Sequence, residues 1–227
     1  METSILLWLI LVPVLGAFAL LFKKNSDQFR NIIVIGSSSL SFVLLLSLYG
    51  SVMKGGVYYA ISWLPGFQVS FNVDASALLI ALVTAFLWVL CSIYSVTYMT
   101  HEGNRLRYDF FSLLTLASNL GVLLAGDFLT LFIFFEGLLI FPYPLIAHKE
   151  DAPAVKGANL YLYVGVATSL LLLSGMVLLK SYTGSLAIQS ISPEISASMG
   201  TAIKYQIAIL MIAGFGGCLY KRGARSD

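Results

Sequence analysis

Seven apolar stretches follow one another along this chain, each of roughly the 17–25 residues that a helix needs to cross a hydrocarbon layer. They are Ser4–Phe22, Asn31–Tyr49, Ala75–Thr97, Tyr108–Ala125, Phe128–Ala147, Gly157–Leu179 and Thr201–Tyr220. In lipid every backbone N–H and C=O must be bonded within the protein, so runs of this length predict helices. The charge content agrees: 11% of the residues are charged, against about 25% in a soluble domain. The expected fold is an all-α polytopic membrane protein with about seven transmembrane helices. The fourth and fifth spans are separated only by Gly126-Asp127 and must form a tight helical hairpin. The first stretch lacks a basic n-region before it and an A-x-A cleavage site, and reads as a retained span.

Between the second and third spans lies GGVYYAISWLPGFQVSFNVD, Gly55–Asp74. Aromatic and β-branched residues alternate there around Pro65-Gly66, which predicts a short outer β-hairpin. Trp63 and the tyrosines suit the membrane–water interface. The small residues Gly36-Ser37-Ser38-Ser39, Gly165, Ser169 and Gly175 speak for close helix packing.

Basic residues set the orientation. With the N-terminus outside, the inner segments hold Lys23, Lys24, Arg30, Arg105, Arg107, Lys149, Lys156, Lys221, Arg222 and Arg225, and the outer ones hold Lys54, Lys180 and Lys204. Ten against three is a strong positive-inside bias. It places the C-terminus in the cytoplasm.

Several chemistries are excluded. Cys91 and Cys218 fall in apolar stretches and read as buried, inert thiols; His101 and His148 stand alone at span ends. There is no C-x-x-C, no Gly-rich phosphate loop and no H-E-x-x-H. No nucleophile–base pair can be assembled, no cofactor is expected in this chain, and no nucleic-acid partner is implied.

The chemistry concentrates in the fifth span, FLTLFIFFEGLLIFPYPLIA. Glu136 lies about 12 Å along it at roughly 1.5 Å per residue, near the bilayer midplane. An ionised acid there costs several kcal/mol unless it is paired, hydrated or protonated. Such a residue moves ions or protons, or it bonds a neighbouring helix. The other ionisable groups within or against the spans are Asp74, Asp109, Asp127, Lys204 and Lys221. Thr115, Ser118 and Asn119 in the fourth span, with Thr168 and Ser169 in the sixth, can hold waters between a buried acid and the surfaces. A carboxylate whose cationic partner moves or loses its charge is a switchable proton site. Lys204 falls at the outer surface and suits snorkelling to the interface. Pro142 and Pro144 bend the inner end of the fifth span.

LAGDFLTLFIFFEGLLIFPYPLIAHKED, Leu124–Asp151, resembles the proton-channel subunits of respiratory complex I, a family that includes membrane subunits of energy-converting hydrogenases and of Mrp-type cation/proton antiporters. WLPGFQVSFNVDASALLIALV, Trp63–Val83, and IYSVTYM, Ile93–Met99, resemble the same family. The resemblance implies that Glu136 is the glutamate essential for pumping. Its family partner is a lysine in a broken seventh helix, usually within A-F-x-x-K. Here Ala213-Gly214-Phe215-Gly216 begins that run, and Gly217 and Cys218 then depart from it. Lys221 stands three residues late, about 60° around and roughly 4.5 Å further in.

The resemblance further implies three leading helices with the outer hairpin over 1–107, and a partial first five-helix repeat over 108–227. Family members carry two such inverted repeats, so the chain is expected to be a truncated product or a split subunit. The implied function is a membrane-arm subunit of a proton- or sodium-pumping redox complex in a prokaryotic inner membrane. Iron–sulfur clusters, with flavin or nickel–iron, belong to its partner subunits. Two other readings stay open: an Mrp-type antiporter subunit, and a structural subunit that does not pump.

Overall fold

The computed structural model describes residues 2–22, 27–64, 67–99, 103–188 and 200–216. Lys23, Lys24, Pro65, Gly66, His101, Cys218, Lys221, Arg222, Arg225 and the side chain of Trp63 lie outside the described residues. The elements in order are α1 (Glu2–Leu20), α2 (Asp27–Ser47), α3 (Tyr49–Val52), β1 (Val57–Leu64), β2 (Phe67–Val73), α4 (Ala75–Tyr98), α5 (Arg105–Leu123), α6 (Phe128–Ile140), α7 (Tyr143–Ile146), α8 (Ala152–Thr183) and α9 (Thr201–Gly216). Each expected span is mainly helical over its described residues. Asp27–Val52, Ala75–Tyr98, Phe128–Ile146 and Ala152–Thr183 are long and apolar enough to cross a membrane on their own, and Ile5–Leu20 and Thr201–Gly216 are shorter apolar helices.

The fourth expected span behaves differently for a physical reason. Helix α5 is packed by α1, α2, α4, α6 and α7. Its residues Leu113–Ser118, with Leu120 and Gly121, are all buried. A helix sheathed by other helices meets little lipid, so its sequence tolerates hydroxyls and charge that a lipid-facing helix excludes. Conversely, Cys91 is exposed on the outer face of α4. The expectation of a buried thiol is corrected here: apolar surroundings in the sequence mean lipid as readily as protein.

Small residues bring the helices together. A Cβ on Gly16 of α1 would stand 3.0 Å from Ser37 Cβ of α2 and 3.4 Å from Leu113 Cδ1 of α5. The hydroxyls of Ser38 and Ser92 join α2 to α4 across 3.1 Å. A Cβ on Gly214 of α9 would meet the backbone N and Cα of Leu172 in α8 at 2.8 and 2.9 Å. Backbone cannot rotate away, so Gly214→Ala is expected to lower stability by about 1–3 kcal/mol through overpacking. Gly36→Ala, with nothing within 4 Å of the new methyl, is expected to be neutral or stabilising because alanine is the better helix former. Thermal unfolding of both variants in detergent checks the pair.

The hairpin exists as expected. β1 and β2 pair antiparallel from Val57↔Val73 to Leu64↔Phe67, with an irregularity between Ser62 and Leu64. Its buried residues Val57, Phe71 and Val73 join Leu6, Leu9, Leu45, Leu48, Leu78, Leu120 and Leu124 in one core. The hairpin therefore caps one end of the α1, α2, α4 and α5 bundle. It is also stitched to the α5–α6 turn, where Gly126 N–H donates to Ser70 O at 2.8 Å and Asn72 N–H donates to Leu124 O at 2.9 Å. The segment after α8 closes the same end: Phe128 N–H donates to Leu186 O at 3.0 Å.

Candidate functional site

Helix α6 starts at a built cap. Asp127 is buried, and its carboxylate accepts from Thr130 N–H at 2.8 Å, Thr130 Oγ1 at 2.7 Å, Ser70 N–H at 2.8 Å and Ser70 Oγ. One side chain thus caps the helix and holds the β1–β2 hairpin to it. Asp74 and Asp151 cap α4 and α8 through Ala77 N–H and Ala154 N–H, at 2.7 and 2.8 Å. These acids are engaged in starting helices. The other end of α6 lies at Pro142: the helix runs to Ile140, and the single turn α7 follows from Tyr143.

Glu136 lies between these two ends, eight residues, or about 12 Å, beyond the start of α6. Its Oε1 is buried and has no hydrogen-bond partner among the described residues. The neighbouring residues show what surrounds it. A Cβ on Gly137 would collide with Ser118 Oγ, so α6 and α5 are in close contact one residue away. Phe135 packs edge-to-face on Phe215 of α9, with ring centroids 5.9 Å apart. Leu139 fills the space beside Gly165 of α8, and Tyr161 Oη donates to Leu138 O at 2.6 Å.

Helices α6 and α8 run in opposite directions, because α8 ends beside the start of α6. One turn outward from the Leu139–Gly165 contact therefore brings Glu136 to the depth of Thr168 and Ser169. The structure thus puts these expected path residues at the level of the carboxylate. Their hydroxyls donate to carbonyls of their own helix, Gly165 O at 2.9 Å and Val166 O at 3.1 Å. A hydroxyl so engaged keeps its lone pairs free to accept. Asn119, half-buried on α5, has no side-chain hydrogen bond among the described residues and follows the Ser118 contact by one position. Thr115 donates to Phe111 O at 2.7 Å within α5. Lys204 is half-buried in the first turn of α9. Lys221, the expected basic partner, falls outside the described residues. Among the described residues no three His, Cys, Asp or Glu side chains converge as metal ligands.

A second buried charged group lies at the opposite end of α5 from Asp127. Asp109 and Arg105 are both buried, with Arg105 Nε 3.5 Å from Asp109 Oδ2. Arg105 also donates to Asn31 Oδ1 of α2. The signal for this pair in the sequence is the R-x-x-x-D spacing, one helical turn apart. It joins α2 to α5 rather than facing Glu136.

Residues 125–221 match the family described as NADH:quinone oxidoreductase/Mrp antiporter, TM. A subunit of the Na(+)/H(+) antiporter of Bacillus subtilis is 27% identical over 91% of this chain, and its counterpart in Alkalihalophilus pseudofirmus is 26% identical over 91%. Over the matched residues the chain is similar to the antiporter-like membrane subunits. It spans about two fifths of the length of these curated relatives, 42% of each. Three solved assemblies share the fold. A chain of the archaeal membrane-bound sulfane sulfur reductase superposes with a TM-score of 0.82 at 21% identity, over 96% of this chain and 34% of its own length. The Mrp complex of Dietzia sp. gives 0.80 at 24% identity, covering 95% and 40%, and respiratory complex I of Thermus thermophilus gives 0.67 at 18%, covering 95% and 43%.

Proposed function

We propose that this chain is a membrane-arm subunit that contributes to proton, or sodium, translocation in a redox-driven complex, with Glu136 as its protonatable centre. The observation that carries the reading is the mid-helix carboxylate whose Oε1 is buried without a partner among the described residues, at the depth of Thr168 and Ser169. A carboxyl held there between α5, α8 and α9 exchanges a proton or cation when water or a mobile cation reaches it. Lys221, three residues past the position where the resemblance expects a lysine, is the candidate for that second role. Asn119, Thr168 and Ser169 supply polar stations for water on the way.

In this proposal the redox groups, iron–sulfur clusters with flavin or nickel–iron, sit in partner subunits. The three leading spans with the hairpin form one unit, and α5–α9 belong to a five-helix repeat. The positive-inside bias supports a prokaryotic inner membrane with the N-terminus outside and the C-terminus in the cytoplasm.

A second reading has its own support. The curated relatives are subunits of Na(+)/H(+) antiporters, so an Mrp-type antiporter without electron transfer is the competing assignment. Purification from the native membrane in mild detergent, followed by mass spectrometry, separates the two. Co-purifying iron–sulfur dehydrogenase or hydrogenase subunits are the expected result; antiporter-type subunits alone would overturn the redox assignment.

A further inference from the structure

At the end of the bundle opposite the hairpin, the last turn of α4, the first turn of α5, the turn α7 and the start of α8 enclose a cavity of about 260 Å³. Helix α4 has 24 residues and so rises about 36 Å from the hairpin end, which carries this cavity to the far boundary of a hydrocarbon layer about 30 Å thick. Its walls are amphipathic. Met99, Leu145 and Ile146 are apolar, while Tyr98, Tyr108, His148 and Lys149 bring polar atoms to the same space.

Two features of this wall point to a ligand. His148 Nδ1 is buried and has no hydrogen-bond partner among the described residues. Its ring is fixed by an edge contact to Tyr108, with centroids 5.8 Å apart, and its backbone carbonyl accepts from Arg107 at 3.0 Å. Lys149 makes no ion pair among the described residues, and the nearby described carboxylates are already engaged: Glu150 pairs with Arg107, and Asp151 caps α8. An uncompensated ammonium and an unpartnered imidazole therefore meet over an apolar slot at the level of the lipid headgroups. Tyr94 and Tyr98, stacked at 5.7 Å on the outer face of α4, stand beside it in the position of an aromatic belt.

We propose that this cavity is a binding site for an acidic phospholipid. The headgroup phosphate sits on Lys149 and His148, and an acyl chain enters between Met99, Leu145 and Ile146. Phosphate supplies the negative charge that the Lys149 ammonium leaves unmet, with the His148 ring in the wall beside it. The apolar wall explains why the ligand is a lipid rather than a free anion, and basic pockets between membrane helices take acidic headgroups on the same principle. The site does not depend on the transport reading, because lipid bounds the bundle whichever ion it moves.

The test titrates the delipidated, purified chain with dioleoyl phosphatidylglycerol, with dioleoyl phosphatidylcholine as the neutral comparison, and counts retained lipids by native mass spectrometry. Phosphatidylglycerol is expected to be retained in preference to phosphatidylcholine. Lys149→Gln is expected to weaken it about fivefold, while Lys54→Gln, at the hairpin end, leaves it unchanged. Ala154→Trp, which fills the cavity, is expected to remove the tight adduct. Lys149 is exposed, so Lys149→Gln keeps the fold and decides the matter should the tryptophan variant fail to fold. Equal retention of both lipids, or unchanged retention by Lys149→Gln, would overturn the proposal. So would inorganic phosphate displacing the lipid at the same concentration, which would mark a free-anion site.

Discussion

Glu136→Gln is expected to reduce coupled ion transport by the native complex to the leak rate of empty vesicles, with assembly and helix content unchanged. The amide has almost the same shape and keeps hydrogen-bonding capacity, so the packing of Phe135 on Phe215 and of Gly137 against Ser118 survives the exchange. What it removes is the proton that the group can release and the charge that it can carry. The variant is also expected to cost no stability, since no described group is bonded to Oε1 and the amide needs no counter-ion in a low-dielectric setting. Glu136→Asp retracts the acid by one methylene and is expected to keep partial transport. Proton uptake into vesicles, followed by a fluorescent dye, reads both. Wild-type rates in Glu136→Gln would take this carboxylate out of the mechanism, and loss of the assembled complex would make it a packing residue instead.

The sequence carried the depth of each residue far better than its direction. Hydropathy located Glu136 mid-span and Asp74 and Asp127 at span ends, and Pro142 marked the inner end of the fifth span; each is a local effect of one chain segment. Direction is a property of several segments together. Cys91 faces outward and the hydroxyls of Thr168 and Ser169 face inward, yet both helices are comparably apolar. Nothing in periodicity tells lipid from a neighbouring helix, because both are apolar. The same limit hid the interior position of α5: its lower hydropathy could mark a weak span as well as a sheathed one. The polar stations flanking Glu136 were legible as residue types, but their common depth required the contact of Leu139 with Gly165.

The stitch at the hairpin end gives the largest stability effect expected in this chain. Asp127→Ala removes the acceptor of four hydrogen bonds from two residues, Ser70 and Thr130. The capping share alone is worth about 1 kcal/mol, and bonds to a charged acceptor contribute roughly 1.5–3 kcal/mol each without adding fully. A loss of about 3–5 kcal/mol follows, or roughly 10 °C in melting temperature for a chain of this size. Asp127→Asn keeps one acceptor oxygen and is expected to lose about half as much. The distinguishing measurement is a double-mutant cycle with Ser70→Ala, read by thermal unfolding in detergent. A coupling above about 1 kcal/mol is expected, because Ser70 Oγ bonds the carboxylate directly. Additive losses would reduce Asp127 to a simple helix cap and leave the hairpin held by the backbone bonds of Gly126 and Asn72 alone. With strong coupling, the acid that starts α6 also fixes the outer hairpin over α1, α2, α4 and α5. The carboxylate at mid-helix then lies two turns from an anchor that holds α6 to the hairpin.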